Sequence, residues 1–146
     1  VVDSHLQTSQ PGIYAAGDVA EHRGVLYGLW EPARFQGTIA GLNAAGAVTE
    51  FGGMPRANTL KVLGLDLFSV GEFVPRDGGW QPVAQAAGGA YDKLLCHDNA
   101  LSGAILAGDT RLSAAALKAV KSRTDCAAVL RGRPTVDAVR SFLSQG

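Results

Sequence analysis

The chain has 146 residues, of which 47% are hydrophobic and 18% charged, a balance typical of a globular protein and not of a disordered one. Its 13 basic and 13 acidic residues cancel, so the sequence lacks the basic surplus of nucleic-acid-binding proteins. No apolar run approaches the roughly 20 residues needed to cross a bilayer. We therefore expect neither a nucleic-acid partner nor a membrane.

The cysteines and histidines show no metal-binding or redox spacing. Cys96 and Cys126 fit neither a C-x-x-C pair nor a zinc motif nor a secreted disulfide framework, which predicts two reduced thiols in a cytoplasmic protein. His5, His22 and His97 each lack a partner three or four residues away. They are predicted to lie at the surface or in turns, and no metal site is expected.

The first third of the chain predicts a strand, a loop and a helix. Residues 13–16 form a short apolar run of the kind buried in a parallel sheet. A helix is expected over residues 32–47, with Pro32 in its first turn. Its predicted apolar face consists of Phe35, Ile39, Leu42 and Ala45. The three glycines of this segment suggest close approach of a backbone or ligand, and they are Gly37, Gly41 and Gly46.

A change of character near residues 51–55 predicts a domain boundary, with domains over residues 1–52 and 53–146. The second domain is expected to be α+β, with an antiparallel sheet and helices. We expect a long strand kinked at Gly64, and then a meander. The predicted strands cover residues 59–70, 80–87, 91–96 and 101–107. The predicted helices cover residues 113–122, a short segment from Asp125 to Gly132, and 135–144 with Thr135 as N-cap.

The stretch TSQPGIYAAGDV, residues 8–19, resembles the second FAD signature of the pyridine nucleotide-disulfide oxidoreductases, T-S-x-P-x-[IV]-[YF]-A-x-G-D. All of its fixed positions match. The resemblance implies that residues 1–52 are the α/β end segment of an FAD-binding domain. It also implies that Gly17 lets the backbone approach the cofactor while the Asp18 carboxylate accepts hydrogen bonds from flavin hydroxyls. The alternative for Asp18 is a simple turn or a helix cap.

The stretch LYGLWEPARFQGTIAGLNAAG, residues 26–46, is similar to the helix that follows this signature in rubredoxin reductases, ferredoxin reductases and nitrite reductase large subunits. The likeness places Glu31, Pro32 and Ala33 near the flavin, at the positive end of the helix dipole. Trp30 matches an aromatic residue beside the flavin ring. A core tryptophan is an equally good interpretation of Trp30.

Residues 59–121 resemble the C-terminal domain of the same branch, through TLKVLGLDLFSVGEF and YDKLLCHDNALSGAILAGDTR. In that family the two G-x-G-x-x-G nucleotide motifs lie upstream of the segment matched here. This sequence has neither motif and begins at Val1 without a methionine. We therefore expect it to begin inside a longer polypeptide whose upstream domains bind FAD and NAD(P)H.

The resemblance implies part of an enzyme that moves electrons from NAD(P)H through FAD to an acceptor. No residue of the chain is assigned as catalytic, and the chain alone is expected to be inactive. The alternative function is a non-catalytic module for dimerisation or for docking an electron-transfer partner. A homodimer and a small electron-transfer protein are both open as partners, as are the identity of the acceptor and the choice between NADH and NADPH.

Overall fold

The computed structural model describes residues 1–132 and 134–145. Within it the chain divides into two compact units, Val1–Arg56 and Ala57–Gly146. Each unit has its own hydrophobic core.

The beginning of the first unit is a series of turns joined by single β-bridges. The prediction of a buried parallel strand over residues 13–16 is wrong, because only Tyr14 takes part in a bridge and it pairs antiparallel with Gln7. The Thr8 N–H donates to the Ile13 carbonyl at 2.8 Å, and the Ala15 N–H donates to the Leu6 carbonyl at 3.0 Å. These bonds fold the segment back on its own neighbours. Ile13 is 56% exposed as a result.

Helix α1 spans Trp30–Ala44, and Pro32 lies in its first turn as predicted. The buried stripe differs from the predicted apolar face, since Phe35 and Leu42 are both substantially exposed. The side chains that face the core are Ile39, as predicted, together with Pro32, Gln36, Ala40 and Asn43. Gly46 follows the end of the helix at a positive φ of 91°, the conformation in which glycine commonly terminates helices.

The helical glycines are not in close contact within the chain. Apart from the chain neighbours and the adjacent backbone of the same helix, no atom of the described residues lies within 4 Å of the position that a Cβ would take at Gly37 or Gly41. The chain itself thus gives no packing reason for glycine at these two positions.

His22 is buried in the first core beside a tight turn, so of the predicted surface or turn position the turn is correct and the surface is wrong. The side chain is 2% exposed, and its ring meets the Phe51 ring edge-on with centroids 4.9 Å apart. A tight turn explains this placement, because the backbones of His22 and Val25 exchange hydrogen bonds of 3.1 and 3.0 Å. Among the described residues, Nε2 of His22 has no hydrogen-bond partner. Burial lowers the pKa of His22, and the neighbouring Arg23 lowers it further while Asp3 partly opposes them.

The described residues of the second unit form five strands, and three of the four connections between consecutive strands are two-residue turns. The strands are β1 Ala57–Val62, β2 Leu65–Gly71, β3 Trp80–Ala87, β4 Ala90–His97 and β5 Ala100–Ala107. The predicted kinked strand is therefore two strands with a turn at Leu63–Gly64, where both residues have positive φ. Gly88–Gly89 and Asp98–Asn99 make equivalent turns. Leucine is an unusual residue for such a turn, which is why the sequence did not signal it.

The sheet is antiparallel, as predicted, but it is not a simple meander. Its order is β1-β2-β5-β4-β3, so β5 returns to pair with β2 and leaves β3 at the far edge. The pairing of β2 with β5 brings Gly71 and Gly103 into close contact with the backbone of the facing strand. A Cβ at either position would overlap the backbone of Ser102 or Glu72. Glycine is required there for the strands to pair.

Three helices pack on one face of this sheet: α2 Ser113–Ser122, α3 Ala127–Leu130 and α4 Val136–Gln145. The Thr135 hydroxyl accepts a hydrogen bond from the Ala138 N–H at 3.2 Å, which confirms the predicted N-cap. The buried core combines sheet and helix residues: Phe68, Val70, Leu94, Cys96, Leu101, Ala104, Leu106, Ala116, Ala119, Cys126, Leu130, Val139 and Leu143.

Arg140 of α4 is bonded to two carboxylates on the sheet side. Its guanidinium donates to Asp92 in β4 and to Asp109 after β5, each at 2.6 Å. Arg111 donates to Asp109 as well, and this contact is the main reason that the pKa of Asp109 is well below its usual range. The charged cluster fixes α4 against the sheet at one end of the core.

Within residues 1–132 and 134–145, no helix is both long enough and apolar enough to span a membrane.

Because burial lowers the pKa of His22, the stability of the first unit should fall as the pH is lowered. Above pH 6.5 the imidazole is neutral in both states; below it, the unfolded chain binds a proton that the folded chain resists. Urea unfolding between pH 7.5 and 5 should show a declining free energy of unfolding. His22→Phe should have a shallower decline, and an unchanged slope in this variant would show that His22 is not responsible.

Candidate cofactor cleft

Gly17 begins a short 3-10 turn, Gly17–Val19, that lies against helix α1. It is buried and has a φ of +78°, a conformation that L-residues with side chains rarely adopt. A Cβ at Gly17 would lie 3.4 Å from the Cβ of Ala33. Glycine thus allows the turn to make this bend while resting on the helix.

The side chain of Gln36 holds the Gly17 backbone in place. The Gly17 N–H donates to Oε1 of Gln36 at 2.8 Å, and both residues are buried. Ala33 and Gln36 are three positions apart on α1, so they lie on the same side of the helix. The turn is therefore attached at two successive points of one helix face.

The result is a cleft of about 380 Å³ at the amino end of α1. It is lined by Asp18, Gly28, Leu29, Trp30 and Ala33. The structure thus brings together three of the predicted site residues, Asp18, Trp30 and Ala33, with Gly17 packed directly behind Ala33. These residues come from two separate segments of the chain, the turn at Gly17–Val19 and the start of helix α1.

The amino end of α1 contributes a positive electrostatic potential to the cleft. Leu29 occupies the N-cap position, and among the described residues no side chain caps the helix. Uncapped N–H groups and the helix dipole together favour a negatively charged or electron-rich group at this end. Asp18 contributes a carboxylate to the lining of the same cleft, and this group can accept hydrogen bonds from hydroxyl groups.

Glu31 and Pro32 do not line the cleft. Glu31 is exposed and accepts a hydrogen bond from Arg34 at 3.2 Å, while Pro32 is buried under the helix. Trp30 is 72% exposed, so in this chain it is not a core residue. The Arg34 guanidinium lies 5.8 Å from the centre of its ring.

Three residues of the site were not predicted from the sequence. Gly28 and Leu29 line the cleft, and Gln36 positions Gly17. Gln36 had no signal in the sequence, because the predicted apolar face ran through Phe35 and Ile39, whereas the structure buries Gln36 beside Ile39.

Other candidate sites are less suitable. A groove of about 390 Å³ between α2 and α4 is lined mainly by apolar side chains and has no converging charged groups apart from Lys118. Among residues 1–132 and 134–145, no cluster of three or more His, Cys, Asp or Glu side chains could hold a metal ion.

Comparison with known proteins identifies the family. Residues 57–124 match the rubredoxin NAD+ reductase C-terminal domain. The NAD(P)H nitrite reductase of Bacillus subtilis is 35% identical over 112 residues, which is 75% of this chain and 14% of that protein. The chain therefore carries this domain over residues 57–124 and is similar to the nitrite reductase over three quarters of its length. The family resemblance of the sequence is thereby confirmed.

Solved structures agree with this assignment. NADH:rubredoxin oxidoreductase from Clostridium acetobutylicum superposes with a TM-score of 0.76 and 30% identity, over 97% of this chain and 36% of that one. An FAD-dependent pyridine nucleotide-disulphide oxidoreductase from Desulfovibrio vulgaris has the same fold, with a TM-score of 0.75 and 20% identity over 99% of this chain and 40% of that one. The chain thus spans well under half of each of these relatives.

Gly17→Ala should destabilise the chain more than Gly12→Ala does. Both glycines have a φ near +79°, which costs an alanine about 1 kcal/mol, and nothing lies within 4 Å of a Cβ at Gly12. Gly17 is buried and bonded to Gln36, so its backbone cannot relax as the exposed Gly12 turn can. Urea unfolding of the two variants measures the difference, and equal costs would contradict the attachment of Gly17 to α1.

Proposed function

We propose that this chain is part of a flavoprotein oxidoreductase that moves electrons from NAD(P)H through FAD to an acceptor. The observation that carries the proposal is the cleft at the amino end of α1, where the matched signature places Asp18 beside an uncapped helix terminus. The family assignment supports it independently.

The residues of the cleft fit FAD. Gly17 lets the turn rest directly on Ala33, and the small Ala33 side chain leaves room in the cleft for a ligand. We assign to Asp18 the role of accepting hydrogen bonds from flavin hydroxyls, since its carboxylate is exposed at the wall of the cleft. Trp30 would cover one side of the ring system, with its exposed indole face.

FAD, when bound, accepts a hydride from NAD(P)H and passes the electrons on to the acceptor. The contribution of this chain is to bind and to adjust the electrostatics. The helix dipole at Trp30 stabilises negative charge next to the amino end of α1. Asp18 orients the hydroxyl groups that it binds. We assign no proton transfer to any residue of the chain.

The remainder of the cofactor site belongs, in this proposal, to upstream FAD- and NAD-binding domains of the same polypeptide. The proposal is consistent with the share of the relatives that the chain spans, which is 14% of the nitrite reductase and 36% of the rubredoxin oxidoreductase structure. We accordingly propose that the chain alone is inactive, and that the complete protein works in the cytoplasm.

Asp18→Ala should weaken FAD binding by the complete polypeptide. Loss of a charged hydrogen-bond acceptor costs about 1.5–3 kcal/mol, equivalent to about a tenfold to hundredfold rise in the dissociation constant. The measurement is fluorescence titration of the flavin-free protein with FAD. Asp18→Asn, which keeps an acceptor oxygen but not the charge, should have an intermediate affinity.

Asp77→Ala is the matched control, because Asp77 is an exposed aspartate of the second unit that caps a turn at Gly79. It should bind FAD as tightly as the unaltered protein. Unchanged affinity in Asp18→Ala would remove Asp18 from the proposed cofactor site.

A second candidate function, formation of an interface, is favoured by the open face of the five-stranded sheet. The helices pack on the face that carries Phe68, Val70 and Leu106. In the β1–β2 register Leu60 lies opposite Leu67 and Val62 opposite Leu65, which places these four side chains together on the other face. Leu60, Val62 and Leu65 are substantially exposed. Apolar side chains grouped in this way are typical of an interaction surface.

We propose a second copy of the chain as the partner for this face. Light scattering over a concentration series should show reversible dimers, because apolar burial drives association. Leu60→Glu should shift the equilibrium to monomer. Leu63→Glu makes the same chemical change in the turn, off the sheet face, and should leave the dimer intact. A monomer at all concentrations would contradict the dimer and leave a small electron-transfer protein as the alternative partner.

A further inference from the structure

Gln36 is a buried amide whose functional groups are only half satisfied. Its Oε1 accepts the hydrogen bond from the Gly17 N–H at 2.8 Å. Among the described residues, its Nε2 has no partner, although the side chain is 0% exposed. A buried donor without a partner is unfavourable, and few such groups occur in folded proteins.

Packing alone does not explain a glutamine at this position. Gln36 lies on the helix stripe that also carries the apolar Pro32, Ile39 and Ala40. Methionine or leucine would fill a similar volume there without leaving a polar group unpaired. The unpaired Nε2 is therefore a cost that some other contact of Gln36 must offset.

The orientation of the amide is determined by its neighbour. The Gly17 N–H is a donor, so only Oε1 of Gln36 can face it, and a rotated amide would bring two donors together. The unpaired Nε2 is a direct consequence. The contact that Gln36 gains in exchange is the one that holds Gly17 on α1.

We propose that Gln36 is a positioning residue of the cofactor site, acting through Gly17 on Asp18. It does not line the cleft itself. It fixes the amide of Gly17 at a φ of +78°, and the next residue in the chain is Asp18 at the wall of the cleft. The inference rests on the proposed function, because it assigns to Gln36 the orientation of the carboxylate that binds the flavin.

Two substitutions separate the hydrogen bond from packing. Gln36→Met has a similar length and volume but no acceptor, so it releases the Gly17 amide. Gln36→Glu keeps an oxygen that can accept the bond and should restore most of the effect. Ile39→Val is the control for stability, because Ile39 is a buried core residue one helical turn after Gln36 and does not line the cleft.

The first readout uses the 146-residue chain and needs no cofactor. Hydrogen exchange of the Gly17 amide, followed by NMR, should be at least about tenfold faster in Gln36→Met than in the unaltered chain. In Gln36→Glu it should be slow again. In Ile39→Val the Gly17 amide should change only as much as the other amides of the first unit.

The second readout is the dissociation constant for FAD of the complete polypeptide, measured in a double-mutant cycle. Gln36→Met should raise it about fivefold to tenfold, which is the range expected for loss of one hydrogen bond. In an Asp18→Ala background the same substitution should have no further effect, because Gln36 would act only through Asp18. Gln36→Glu should bind close to normally.

The outcomes distinguish this inference from the proposed function. If Asp18→Ala weakens FAD binding but Gln36→Met adds its full effect to it, the positioning role is wrong and the cofactor site stands. Unchanged Gly17 exchange in Gln36→Met likewise overturns the positioning role. If Asp18→Ala leaves FAD binding unchanged, the proposed cofactor site is wrong and the inference falls with it.

Discussion

The hydrogen bond between the Gly17 amide and Gln36 Oε1 is the contact on which the geometry of the cleft depends. The segment before it has no regular strand to hold it, only single bridges and turns. Gly17 therefore takes its position from α1, through Gln36 and through the contact with Ala33. Because Asp18 follows directly, its place at the wall of the cleft is set by the same helix that supplies the positive dipole. Helix α1 thus determines both the position of Asp18 and the positive potential in the cleft.

The second unit follows a different principle, in which one face of a sheet is covered and the other is open. The antiparallel order with β5 beside β2 depends on two glycines, Gly71 and Gly103, where the strands approach too closely for a side chain. Arg140 then fixes α4 to the covered face through Asp92 and Asp109. Alternate side chains of each strand point to the uncovered face of the sheet, and on β1 and β2 several of these side chains are apolar. Such a group of exposed apolar side chains is typical of a surface that binds another protein.

The sequence predicted elements well where local signals were strong, and poorly where long-range contacts decide. Strand β3, helices α2 and α4 and the cap at Thr135 follow from periodicity, turn residues and capping chemistry. The return of β5 to β2 has no local signal, because it depends on a pairing between distant segments. The run at residues 13–16 looked like a buried strand, yet a strand needs a partner, and its backbone bonds go to residues 6 and 8 instead. The FAD signature predicted Asp18, and the similarity of the following helix predicted Ala33. Gln36 could not be predicted, because the sequence did not show which face of that helix is buried.

The most direct test of the central claim is a crystal structure of the complete polypeptide purified with its flavin. We expect FAD in the cleft at the amino end of α1, with a flavin hydroxyl within hydrogen-bonding distance of the Asp18 carboxylate, about 2.5–3.0 Å. Gly17 should keep its bond to Gln36 in that structure. A flavin bound elsewhere, with Asp18 facing only solvent, would contradict the account.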